Sequence, residues 1–202
     1  MDQDKIVALR WKYDLPMEFI LYLGGFDCRK NVLLLIRSFS NVLKRLDTGI
    51  KLVLAGNPVS RNPRLFPDPR PLIEELGLQK DVILVGQVPE EEKPLFYSAS
   101  TLFVFPSVYE GFGLPPLEAM ACGAPVLCSN ASSLPEVVGE AGYLFDPHNE
   151  HELTKSLVEV LGDDEKRARM VKEGLKQAAS FSWDKVTDRT ITIYRKLLEG
   201  SL

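Results

Sequence analysis

Six short apolar runs, separated by stretches of helical periodicity, constrain this chain more than any other feature. FILYLGG (19–25), KLVLAG (51–56), DVILVG (81–86), TLFVFP (101–106), PVLCS (125–129) and GYLFD (142–146) have the length and composition of strands, and glycine or proline closes most of them. KLVLA, DVILV and TLFVF show no polar alternation, the pattern of parallel strands covered on both faces. Between the first two runs, Val32, Leu35, Ile36, Phe39, Val42, Leu43 and Leu46 recur at helical spacing until Gly49 stops them. Further helices are predicted near 70–76, 89–98, 115–122, 133–138 and 150–161. This strand–helix repetition specifies an α/β fold: a doubly wound parallel sheet of about six strands with helices on both faces. Two more helices follow, 163–179 and 182–200. Ser182 suits the N-cap of the second, and Trp183, Val186, Ile193 and Leu197 form one stripe on it.

A chain of 202 residues suits one domain of this kind and buries roughly 70% of its unfolded surface, so it folds without disulfides or metal. Its 24 basic against 28 acidic residues give a net charge of −4, which excludes a broad nucleic-acid surface but leaves room for a local anion site. Cys28, Cys122 and Cys128 are odd in number and lack metal-ligand spacing, so they read as thiols of a reducing compartment. Cys28, beside Arg29 and Lys30, has the setting that favours a thiolate. The first residues, MDQDKIVALRWKYDLP, lack an apolar signal segment, and no run approaches the ~18 apolar residues of a membrane span. The expectation is a soluble, cytoplasmic chain. Segment 57–71, with five prolines and three arginines, reads as a surface loop. His148 and His151 lie in a polar stretch and read as solvent-exposed, and no Asp-rich metal site is apparent.

The chemistry concentrates in FVFPSVYEGFGLPPLEAMACGAPVL (103–127). A buried strand ends at Pro106, a glycine-containing loop follows, and a helix is predicted from Pro115–Pro116, where proline suits the first turn. This junction lies at the carboxyl end of a parallel strand, where open α/β sheets bind ligands. Gly111 and Gly113 let backbone approach a ligand, and the helix N-terminus favours an anion. Glu118, placed in the first helical turn, would suit the macrodipole. Glu110 sits in the loop, where no helix rewards it, and a carboxylate there can accept hydrogen bonds from sugar hydroxyls.

Glu110-x7-Glu118 within EGFGLPPLEAMACGAPV resembles the signature of the retaining glycosyltransferases of the GT-B fold, the "group 1" family. GGFDCRKN (24–31), LVLAGN (52–57), VILVGQVPEEEKPLFYSAS (82–100), SSLPEVVGEAGYLFDP (132–147) and FSWDKV (181–186) fall in that family's order and spacing. The resemblance implies a Rossmann-like C-terminal half of a GT-B enzyme that binds a nucleoside-diphosphate sugar. Residues 1–18 would be an inter-domain linker remnant, 19–180 the donor-binding domain and 181–202 the helix that crosses back. The N-terminal acceptor domain would be missing from this chain, and the isolated domain inactive.

The resemblance also implies roles. Glu118 would accept the ribose hydroxyls, and Glu110 would bind the donor hexose near its reacting face. The N–H groups of Phe112, Gly113 and Leu114, with Gly111 beside them, would face sugar or phosphate. Lys30, at the start of the first long helix, would neutralise the pyrophosphate with Arg29 beside it. Gly24 and Gly25 stand where many members have Gly-Arg, which reduces a two-cation clamp to Lys30. Val85, Gly86, Gln87 and Val88 correspond to the loop that reads the nucleobase through main-chain groups. Neither metal nor cofactor is expected. GGFDCRKN resembles mannosyltransferase-like members, favouring GDP-mannose over UDP-glucose, and the full-length enzyme could touch the membrane peripherally. The rival readings are a stand-alone nucleotide-sugar-binding subunit, and a GT-B phosphorylase or epimerase domain.

Overall fold

A computed structural model describes residues 3–57, 62 and 64–199. Each predicted run contains one strand: β1 (Phe19–Leu23), β2 (Lys51–Ala55), β3 (Val82–Gly86), β4 (Leu102–Phe105), β5 (Val126–Ser129) and β6 (Tyr143–Phe145). All pair in parallel, in the order β3-β2-β1-β4-β5-β6. β1, β4 and β5 are buried along their whole length, as their unbroken apolar sequences require. DVILV departs from that expectation. β3 is an edge strand, so only Val82 is buried and its next four residues are half-buried.

The helices are α1 (Gln3–Tyr13), α2 (Val32–Leu43), α3 (Arg70–Glu75), α4 (Lys93–Ala99), α5 (Leu114–Ala121), α6 (Leu134–Val138), α7 (Glu150–Leu161), α8 (Asp164–Ala179) and α9 (Trp183–Leu198). One packing chain runs α3–α2–α7 and another α1–α4–α5–α8, the two layers that sandwich the sheet. Local chemistry sets where helices begin. The side chains of Asn149, Asp163 and Ser182 accept from the N–H of Glu152, Lys166 and Lys185, capping α7, α8 and α9. α2 stops at Leu43, three residues before the predicted Leu46, and Leu46 N–H bonds to the Val42 carbonyl beyond the helix.

The segment read as a linker contains α1, which packs on α4. Ile6 and Leu9 are buried, the Arg10 guanidinium donates to the carbonyls of Pro16 and Ala99, and Lys12 and Tyr13 both reach Glu92 at 2.6 Å. Its sequence carries no apolar stripe because Val7 and Trp11 point to solvent. α9 buries no residue and exposes Trp183, Val186, Ile193 and Leu197 together. No described helix is long and apolar enough to cross a membrane. Of the loop predicted over 57–71, residues 58–61 and 63 lie outside the described residues, and its end is the first turn of α3.

Candidate functional site

β1 and β4 lie side by side at the centre of the sheet, and their following segments lead off in opposite directions, to β2 and to β5. A crevice opens at the carboxyl ends of strands where the order reverses in this way. A cleft of ≈ 390 Å³ occupies the β1–β3 side, lined among others by Gly24, Gly25, Gly56, Asn57, Gln87 and Val88. A groove of ≈ 430 Å³ along β6 and α7, lined by Tyr143, Glu152 and Lys155, contains none of the predicted residues.

Close backbone packing builds the cleft floor. Gly24 N–H donates to the Ala55 carbonyl at 3.0 Å and Gly56 N–H to the Gly86 carbonyl at 2.7 Å, carrying the sheet ladder into the turns. The N–H of Gly24 and the carbonyl of Gly86 are therefore already engaged. Gly56 has φ +148, and a Cβ there would lie 2.0 Å from the Gly24 carbonyl oxygen, so no side chain fits. Beneath them Tyr22 donates its hydroxyl to the Gly25 carbonyl and stacks on Phe105 with centroids 6.4 Å apart. Burial pushes the Tyr22 hydroxyl pKa well up, with Asp27 and Glu110 adding to it, so this donor stays protonated.

The turn after β1 carries the cations. Cys28–Lys30 is a single 3-10 turn, and Asn31, at φ +56, redirects the chain into α2 while its side-chain amide donates to the Pro147 carbonyl at 2.8 Å. Lys30 thus precedes α2 rather than opening it. Its Nζ lies 2.6 Å from Glu110 Oε1 and 5.2 Å from the centroid of the Phe105 ring. Arg29 points elsewhere: its side chain is 60% exposed and its Nε bonds Asp27 at 2.8 Å, an interaction that raises the guanidinium pKa. The backbone of Arg29 does contribute, because its carbonyl accepts from Val108 N–H at 2.7 Å and lies 3.0 Å from Ser107 Oγ. The bond to Val108 joins the β1 and β4 turns.

Glu110 is held at three points. Its N–H donates to Ser132 Oγ at 2.9 Å, its carbonyl accepts from Ser133 Oγ at 3.2 Å, and its carboxylate accepts from Ser107 Oγ at 2.6 Å. Ser132 adopts φ +50, uncommon for a residue with a side chain, and Ser133 also reaches the Phe112 carbonyl at 2.6 Å. Ser107 is fully buried, and the nearest of its acceptors is the charged one, so its single hydrogen goes to Glu110. Ser107 and Lys30 meet the same oxygen, Oε1.

α5 begins at Leu114, so Glu118 is its fifth residue and lies beyond the first turn. The macrodipole therefore gives no account of this side chain. Glu118 Oε2 accepts from the hydroxyl of buried Tyr97 at 3.0 Å. Burial first, and then Glu118 itself, push the Tyr97 pKa upward and keep it a neutral donor. One aromatic row runs from the Glu118 contact to the ring beneath Lys30: Tyr97 meets Phe103 edge-on at 5.2 Å, Phe103 lies 6.0 Å from Phe105, and Phe105 continues to Tyr22.

Prolines at 115 and 116 remove two of the N–H groups that usually make a helix start an anion site, and Leu117 N–H bonds the Gly113 carbonyl at 3.4 Å. Leu114 is left as the N–H donor of that first turn. Gly113 has φ +110 and packs so closely that a Cβ would lie 2.7 Å from Leu134 Cδ2. Gly111 and Phe112 are exposed, and the Phe112 ring meets Phe181 edge-on at 5.9 Å.

Cys28 is exposed and its N–H bonds the Leu65 carbonyl at 2.7 Å, tying the 57–71 segment to this turn. His148 and His151 are exposed. Ser107, Ser132, Ser133 and Tyr97 had no predicted role. All four stand inside the conspicuous blocks PSVYEGFG, SSLPEVVG and PLFYSAS, which is the signal that could have found them.

This geometry can be set beside known proteins. The family model described as glycosyl transferases group 1 matches residues 9–177. O-antigen chain mannosyltransferase B of Escherichia coli is 38% identical over 187 residues, 92% of this chain and 48% of that protein. Sucrose-phosphate synthase from Thermosynechococcus elongatus superposes with TM-score 0.80 at 30% identity, over 96% of this chain and 49% of that one. Anabaena HepE in complex with UDP and glucose shares the fold, with TM-score 0.85 at 20% identity, over 97% of this chain and 53% of that one. The chain spans about half the length of each of these proteins. Its six-stranded parallel sheet, its two-sided helix layers and the match over most of its length lead to one conclusion: it belongs to the glycosyl transferases group 1 family.

Proposed function

We propose that this chain is the donor-binding half of a retaining glycosyltransferase that moves a hexosyl unit from a nucleoside-diphosphate sugar to an acceptor hydroxyl. The observation that carries the proposal is the meeting of Lys30 and Glu110, 80 residues apart in sequence, at the switch point of the sheet. One mobile cation beside one fixed carboxylate suits a ligand with a diphosphate next to a polyhydroxylated ring. The Escherichia coli mannosyltransferase supports hexose transfer, and HepE, which carries UDP and glucose, supports a nucleotide-sugar ligand on this fold.

In this reading the base lies toward Gln87 and Val88, Glu118 accepts the ribose hydroxyls, and Lys30 faces the diphosphate. Glu110 accepts hydroxyls of the hexose. As the glycosidic bond breaks, the sugar gains oxocarbenium character and the leaving diphosphate gains charge. Lys30 and the Leu114 N–H stabilise the leaving group, and the Glu110 carboxylate favours the developing cation. The acceptor half would lie in the part of the relatives that this chain does not cover. Calorimetric titration with GDP-mannose, UDP-glucose and ADP-glucose tests the assignment. Binding of one of them is expected, and a folded sample that binds none refutes it.

A further inference from the structure

We propose that Glu110 also distinguishes a sugar-loaded donor from the spent nucleoside diphosphate, by competing with the diphosphate for Lys30. The inference rests on the donor-site reading and goes beyond it by assigning product release to the same pair.

Lys30 Nζ and Glu110 Oε1 are 2.6 Å apart, and their side chains are only 18% and 14% exposed. A ligand that reaches the ammonium therefore arrives beside the carboxylate. The two partners are not equally free. Glu110 is tethered through its N–H to Ser132, its carbonyl to Ser133 and its carboxylate to Ser107, whereas Lys30 holds its ammonium on a flexible stem over Phe105. The carboxylate is the fixed member and the ammonium the one that moves. A diphosphate must therefore draw Lys30 from a carboxylate that cannot follow, and must sit near its negative charge.

A hexose changes this balance. Its hydroxyls lie between the diphosphate and Glu110 and donate to the carboxylate, replacing the hydrogen bonds that Lys30 gives up. After transfer the hexose has gone, repulsion returns, and Lys30 goes back to Glu110. The carboxylate thus tolerates the substrate and expels the product. For two charges a few ångströms further apart than a contact pair, in partly solvated surroundings, the penalty on the diphosphate corresponds to about tenfold in affinity.

The test is calorimetry on wild type and Glu110→Gln with GDP, UDP, GDP-mannose and UDP-glucose. The amide keeps the shape and still accepts from Ser107. Diphosphate affinity is expected to rise about tenfold in the variant at low salt, and the gain should shrink as salt is added. Sugar-nucleotide affinity should rise less or fall. Unchanged or weaker diphosphate binding by a folded Glu110→Gln, where wild type binds, overturns the inference and leaves the donor site standing. Wild type that binds neither diphosphates nor sugar nucleotides removes the donor site and the inference together. Ser107→Ala retains both charges but frees the carboxylate, and should raise diphosphate affinity about threefold. No rise in that variant also counts against the competition.

Discussion

Replacing Gly56 by alanine puts a methyl group where the turns after β1 and β2 touch. The new Cβ would lie 2.0 Å from the Gly24 carbonyl oxygen, against the 3.0 Å below which such contacts do not occur, so the turns must part by about 1 Å. The obstruction is backbone and cannot swing aside. Two hydrogen bonds flank this contact, Gly24 N–H to Ala55 between β1 and β2 and Gly56 N–H to Gly86 between β2 and β3, and losing both costs about 2 kcal/mol. A non-glycine residue at φ +148 adds strain of about 1–3 kcal/mol. The sum is about 3–5 kcal/mol. Gly49→Ala is the control: its φ is +63 and nothing lies within 4 Å of its Cβ, so it carries strain alone, about 1 kcal/mol. Urea unfolding reads both, provided the m value stays constant across the set. Displacing Gly24 and Gly25 should also abolish nucleotide binding in Gly56→Ala and leave it intact in Gly49→Ala. Equal destabilisation by the two substitutions would refute the close-packing argument.

Two other outcomes follow from the side-chain environments. Lys12 and Tyr13 hold the Glu92 carboxyl below the usual carboxylate value, so its contribution to fixing α1 is complete at neutral pH. That contribution is lost as pH falls through the depressed folded value. Hydrogen-exchange protection of α1 amides, relative to their intrinsic rates at each pH, should fall below about pH 4.5 in wild type, and Glu92→Gln should flatten that dependence. An unchanged profile would place the anchoring of α1 elsewhere. Cys28 is exposed, whereas Cys128 is buried and its thiol pKa is pushed up by that burial. A thiol reagent should label Cys28 in the native protein and Cys128 only on unfolding. Comparable rates at the two would contradict the packing of β5.

The strands were legible because each is a short apolar run with a turn residue behind it, and burial of β1, β4 and β5 enforces that composition. α1 was not legible as a helix: Ile6 and Leu9 are buried while Val7 and Trp11 face water, so no periodicity marks it. At the site, Glu110 and Glu118 stood out by residue type and spacing, and Lys30 through the family resemblance of GGFDCRKN. Their partners did not. The Lys30–Glu110 contact joins the β1 and β4 turns, and only the strand order, which reverses between them, brings those turns together. Ser107, Ser132 and Ser133 act through single hydroxyls that composition cannot distinguish from surface serines. Arg29 is the converse case: its side chain turns to Asp27, and it is its carbonyl that joins the β4 turn by accepting from Val108 N–H.

The central claim is that a diphosphate binds at the β1–β4 switch point through Lys30. Titrating GDP, guanosine, UDP and uridine into wild type and Lys30→Ala by calorimetry tests it most directly. The diphosphate bound by wild type is expected to lose about tenfold or more in affinity in Lys30→Ala, while its nucleoside, which the proposed site sets against Gln87, Val88 and Glu118, binds nearly as before. Equal loss of both ligands, or of neither, would contradict it.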